Sequence, residues 1–122
     1  MILRPWCLGL SLISAGALAQ AVNSKQDREE FRDFMAQKAG NLEIQIQALK
    51  RDSDAGAPAR RAHLREELEL LDKRSSRLEE QVFALPMEST TAAWEDSRTE
   101  LQASYADLAQ AVRRLSTRVR AR

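Results

Sequence analysis

The chain has 122 residues, 30% of them charged and 43% hydrophobic, with 19 Lys and Arg against 18 Asp and Glu, four Gly, three Pro and one Cys. That is room for one small domain, and few Gly and Pro in a charge-rich chain mark long helices rather than sheets. An aromatic content of 5% argues against a base-stacking surface for nucleic acid, and the balanced charge gives no global pull toward nucleic acid or membrane.

Residues 1–19 differ from the rest. Arg4 supplies a positive start, Trp6 to Gly16 is apolar and uncharged, and Ala17-Leu18-Ala19 has the small-x-small form that signal peptidase cuts. We expect a signal peptide over 1–19, cleavage before Gln20 and export to the periplasm or beyond. The apolar run is shorter than the roughly 20 residues a membrane-spanning helix needs. Cys7 precedes that run, so it is not placed as a lipoprotein cysteine, and residues 20–122 must reach stability without disulfides.

Residues 20–122 read as one domain of three helices, at about 24–51, 58–85 and 90–121. Ser24-x-x-Asp27 opens the first with a cap and acidic residues near the positive helix start. Asp52 to Ala57 is a turn-rich break, after which Pro58 suits the first position of a helix. Pro86 stops the second helix, and Ser89 or Thr90 caps the third.

Apolar residues recur at alternating spacings of three and four, the heptad signature of a coiled-coil seam. The seams are Met35, Ala39, Leu42, Ile46 and Leu49; then Leu64, Leu68, Leu71, Ser75, Leu78, Val82 and Leu85; then Trp94, Arg98, Leu101, Tyr105, Leu108, Val112, Leu115 and Val119. Folding the chain at residue 55 sets Ile46 opposite Leu64, Leu42 opposite Leu68 and Ala39 opposite Leu71. Folding it again at Glu88 sets Leu64 opposite Val112, Leu68 opposite Leu108 and Val82 opposite Trp94. Both fold points fall inside the breaks. The expected fold is therefore all-α: an antiparallel up-down-up three-helix bundle with coiled-coil packing.

Little in the chain points to reaction chemistry. His63 is the one histidine and no cysteine follows Cys7, so neither metal nor cofactor is expected. Carboxylate pairs such as Glu66-Glu67 and Glu79-Glu80 are interleaved with arginines at helical spacing, as surface ion pairs are. No nucleophile motif or Gly-rich phosphate loop is present.

Three groups are candidates for partner contact. Arg98 interrupts a seam and shares one end of the expected rod with Arg28 and Arg32, a setting for an anion or a partner carboxylate. Phe34, Ile44, Leu70 and Phe83 fall at outward heptad positions, where they would suit a second packing surface or a dimer face. Arg113, Arg114, Arg118, Arg120 and Arg122 form a run with no acidic residue among them, which offsets the negative end of a helix and suits an anionic lipid or polysaccharide surface.

The stretch Trp94-Glu-Asp-Ser-Arg98-x-x-Leu101-x-x-x-Tyr105-x-x-Leu108-x-x-Ala111-Val112, preceded by Leu78-x-x-x-Val82-x-x-Leu85, resembles a family of bacterial three-helix coiled-coil or stress-response proteins over roughly residues 28–115. The resemblance implies no catalytic residues, and the signal peptide departs from a cytoplasmic role. The Leu-Thr-x-x-Gln motif of small periplasmic stress chaperones is absent. The expectation is a non-enzymatic exported interaction or scaffold protein, tied to envelope stress, that contacts a protein partner or a second copy. The alternative is a lipid-surface or chaperone-like binder using the outward apolars and the basic C-terminal tail.

Overall fold

The computed structural model describes residues 24–120, which form three α-helices and no strand: α1 (Lys25–Asp54), α2 (Pro58–Phe83) and α3 (Thr91–Arg120). The expected signal peptide and its cleavage point lie outside the described residues, as does Arg122.

Each helix start has its own local cause. At α1 the Ser24 hydroxyl accepts from the Asp27 backbone N–H at 3.1 Å and donates to the Asp27 carboxylate at 2.8 Å, so a free donor of the first turn is satisfied. At α3 the Thr90 hydroxyl accepts from the Ala93 N–H at 3.2 Å. That leaves Ser89 to bond back to Pro86 O. α2 starts on Ala57 without a side-chain cap, and Pro58 at its first position supplies a preset φ and lacks the N–H that would need one.

Two helix ends differ from the sequence expectation. α1 runs through Asp52, Ser53 and Asp54, residues read as a break from their turn chemistry. Ser53 is buried and its hydroxyl donates to Lys50 O at 3.1 Å, the back-bond by which serine fits a helical turn. Only Ala55, Gly56 and Ala57 are left to reverse the chain. α2 stops at Phe83 rather than Leu85, because a residue before proline is disfavoured in the helical region and Leu85 precedes Pro86. The Leu85 N–H instead reaches Val82 O at 3.3 Å, and its side chain stays in the core.

Packing follows the seams. All of their members are buried except Arg98, Tyr105 and Val119, which are half-buried. Trp94, Ile46, Leu78, Leu101 and Leu108 are the largest of the fully enclosed side chains. Each helix touches both of the others, and α1 and α2 pack together more closely than either does with α3. Ser75, the polar seam member of α2, is fully buried and donates to Glu43 of α1 at 2.9 Å. Gln47 links Glu43 at 2.9 Å to Asp72 at 3.4 Å, and Lys50 also bonds Asp72. This polar strip flanks the α1–α2 contact and gives the buried Ser75 hydroxyl a charged partner.

Candidate functional site

The three arginines grouped by sequence reasoning have separate partners. Arg28 is 5% exposed, and its Nη1 donates to the carbonyls of Ser89 at 2.8 Å, Met87 at 3.1 Å and Pro86 at 3.5 Å. Its guanidinium lies over the Trp94 ring, 5.1 Å from the centroid, where the charge gains from the ring face. Arg28 thus clamps the α2–α3 connection from inside the fold and is not a surface contact. Arg32 pairs with its neighbour Asp33 at 3.7 Å, and Arg98 with Glu95 one turn earlier at 2.9 Å.

Around Trp94 the structure adds residues that the heptad pattern did not single out. Phe31 meets the Trp94 ring edge-on, with centroids 5.7 Å apart. Lys38 bridges two aromatics, its ammonium 4.9 Å from the Phe34 ring and 4.5 Å from the Tyr105 ring. A shallow hollow of about 300 Å³ opens here between Asp27, Glu30, Phe31, Phe34, Trp94 and Arg98. Arg28 Nε, Trp94 Nε1 and Arg98 Nε are buried nearby without an acceptor among the described residues. Carboxylates at the mouth and donors beneath give this hollow a mixed polarity, with no single sign of ligand charge favoured.

The outward apolars are exposed as the pattern requires: Phe34 55%, Ile44 66%, Leu70 60% and Phe83 79%. They do not form one patch. Ten residues separate Phe34 from Ile44, which turns them roughly 80° apart on α1, and thirteen separate Leu70 from Phe83, roughly 140° apart on α2. The four therefore spread over more than one side of their helices.

Of the C-terminal arginines, Arg113, Arg114, Arg118 and Arg120 are exposed. Arg118 pairs with Glu67 of α2 at 2.6 Å, while Arg60 donates to the carbonyls of Arg118 and Val119. Arg60 was not visible from sequence as a contact of α3, since its role depends on which end of α3 lies beside the start of α2. A half-open hollow of about 660 Å³ collects Arg51, Asp52, Arg60, Leu64, Val119 and Arg120 around the α1–α2 turn. Basic residues from all three helices meet there.

Among the described residues no group of three His, Cys, Asp or Glu is arranged to hold a metal ion, and no helix is long and apolar enough to cross a membrane. The site so defined is a set of helix surfaces on an all-helical protein. Compared with protein families, curated proteins and solved structures, the chain has no match.

Proposed function

We propose that the chain is a non-enzymatic helical interaction protein, exported behind its N-terminal signal peptide to the periplasm of a Gram-negative bacterium and linked to envelope stress. Its three helices form an antiparallel up-down-up bundle with heptad packing, and it acts by presenting helix faces to a protein partner or a second copy. The likeness of its last two helices to bacterial three-helix coiled-coil proteins belongs to the same reading. Support for the arrangement comes from contacts that pair early with late positions: Arg28 with Met87, Glu43 with Ser75, and Arg60 with Arg118. Parallel contacts between α1 and α3, Phe31 with Trp94 and Lys38 with Tyr105, fit the same up-down-up path.

The observation that carries the interaction reading is the exposure of Phe34 and Phe83 outside a core already filled by the seams. Large apolar side chains that a fold does not use for its own packing are where partners gain most from burial. Crosslinking in the native host followed by mass spectrometry tests it. A partner crosslinked near Phe34 or Phe83, and lost in the Phe34→Ser, Phe83→Ser variant while the unfolding free energy changes by less than about 0.5 kcal/mol, supports the reading. Unchanged crosslinks in that variant sink it.

A further inference from the structure

The near-neutral chain becomes strongly asymmetric once folded. Taken at matched levels along the rod, residues 48–65 and 112–120 carry nine Lys and Arg against two Asp, a net +7. At the opposite end, residues 25–36, 76–88 and 91–100 carry five Lys and Arg against ten Asp and Glu, a net −5. Between them, 37–47, 66–75 and 101–111 carry three against six. No single helix contains this pattern. It arises because three segments far apart in the chain meet at the α1–α2 turn, where Arg51, Arg60 and Arg120 line one hollow.

Helix dipoles do not account for the basic end. The C-termini of α1 and α3 bring about −0.5 charge each and the N-terminus of α2 about +0.5, so complementing them takes less than one charge of the seven. Lys50 and Arg118 are paired with Asp72 and Glu67 just beyond this end, while Arg51, Arg65, Arg113, Arg114 and Arg120 are exposed. The rod is roughly 45 Å long at 1.5 Å per residue, several Debye lengths at physiological salt. Its ends therefore act as independent charges, and the overall balance does not cancel the attraction of the basic end for an anionic surface.

We propose that this end, built from the α1–α2 turn and the last turns of α3, is a docking surface for an anionic lipid headgroup layer. The rod then stands with its acidic end, Phe34 and Phe83 directed away from the membrane. Lipid is favoured over polysaccharide or nucleic acid by what the basic end lacks. Residues 48–65 and 112–120 include no Phe, Trp or Tyr, the side chains that stack on bases and on sugar rings. They offer point charges around a small apolar turn, Ala55-Gly56-Ala57-Pro58-Ala59, and juxtamembrane basic clusters bind headgroups by charge alone. The proposal rests on the up-down-up arrangement and is independent of any partner at Phe34 and Phe83.

The test uses the chain as recovered from its own cells and vesicles of phosphatidylglycerol with phosphatidylethanolamine, set against vesicles of phosphatidylcholine. The neutral vesicles measure whatever residues 1–23 contribute. Flotation at low salt is expected with the anionic vesicles and is reversed by raised salt. Arg51→Gln, Arg65→Gln and Arg114→Gln together remove one exposed charge from the basic end of each helix. At roughly fivefold per residue, that triple variant loses about a hundredfold in partitioning. The matched control, Lys25→Gln, Arg32→Gln and Arg77→Gln, changes net charge equally at the other end and retains binding. On vesicles, amide exchange slows in 48–65 and 112–120 but not in 25–36. Equal loss in both variants, equal binding to neutral vesicles, or tighter binding to heparin than to anionic vesicles overturns the proposal. A missing nuclear Overhauser contact between the Leu64 and Val112 methyls overturns it through its premise, leaving the charge argument without a common end.

Discussion

Arg28 shows how one side chain fixes a connection. Three carbonyls of the α2–α3 segment converge on its Nη1, while Trp94 receives the guanidinium face. A lysine keeps the charge but has neither the planar fork nor the stacking surface. Arg28→Lys is therefore expected to cost about 1.5 to 3 kcal/mol, the range for hydrogen bonds to charged groups. Urea unfolding checks it, as a lowered midpoint with unchanged slope; a midpoint equal to that of the parent removes the clamp from the account. Gly40 is the opposite case. It lies within α1, and a Cβ built there meets nothing within 4 Å. Glycine in a helix interior costs roughly 0.5 to 1 kcal/mol relative to alanine, so Gly40→Ala raises stability by that amount in the same assay. A destabilised variant would mean that the space beside Gly40 is filled by something the three helices do not supply.

At the scale of elements, most of what mattered was written in the chain, because each helix seam is a spacing rule and spacing survives without coordinates. Leu64 through Val82 alternate so regularly that the buried face of α2 follows from them alone. The ends of helices were harder. Asp52 and Ser53 carry turn chemistry, and whether a serine breaks a helix or back-bonds within it depends on the burial that only packing decides. Likewise Phe31, Lys38 and Arg60 act across helices, so their roles need the relative placement of elements. That placement also sets an order of stability. α1 and α2 are joined by the Ser75, Glu43, Gln47, Asp72 and Lys50 strip and pack more closely with each other than with α3. Elements with fewer packed contacts open at lower free energy. Native-state hydrogen exchange is expected to find the slowest amides in α1 and α2 near Leu42 and Leu71, with those of α3 about tenfold faster. Uniform protection across the three helices would show that they open as one unit.

For the whole molecule, a balanced charge summed over the chain does not register where the charges lie. Chain order interleaves the signs, and the proposed up-down-up arrangement would sort them to opposite ends. A rod with one end near +7 and the other near −5 also attracts copies of itself head to tail. The end of a bundle of three helices, each ~10 Å wide, offers roughly 300 Å², so two ends bury far less than the ~1,000 Å² of a stable specific interface. Such contacts are held by charge and are weak, and because head-to-tail contacts do not close they grow rather than stop at a dimer. Sedimentation of the chain in ~10 mM salt, where the Debye length is about 30 Å, is expected to show a concentration-dependent rise that disappears at ~150 mM, where it is about 8 Å. The Arg51→Gln, Arg65→Gln, Arg114→Gln variant should show less of it. A closed dimer persisting at high salt would instead point to side-by-side burial of apolar surface through Phe34 or Phe83, and would identify the helix faces rather than the rod ends as the surfaces that drive self-association.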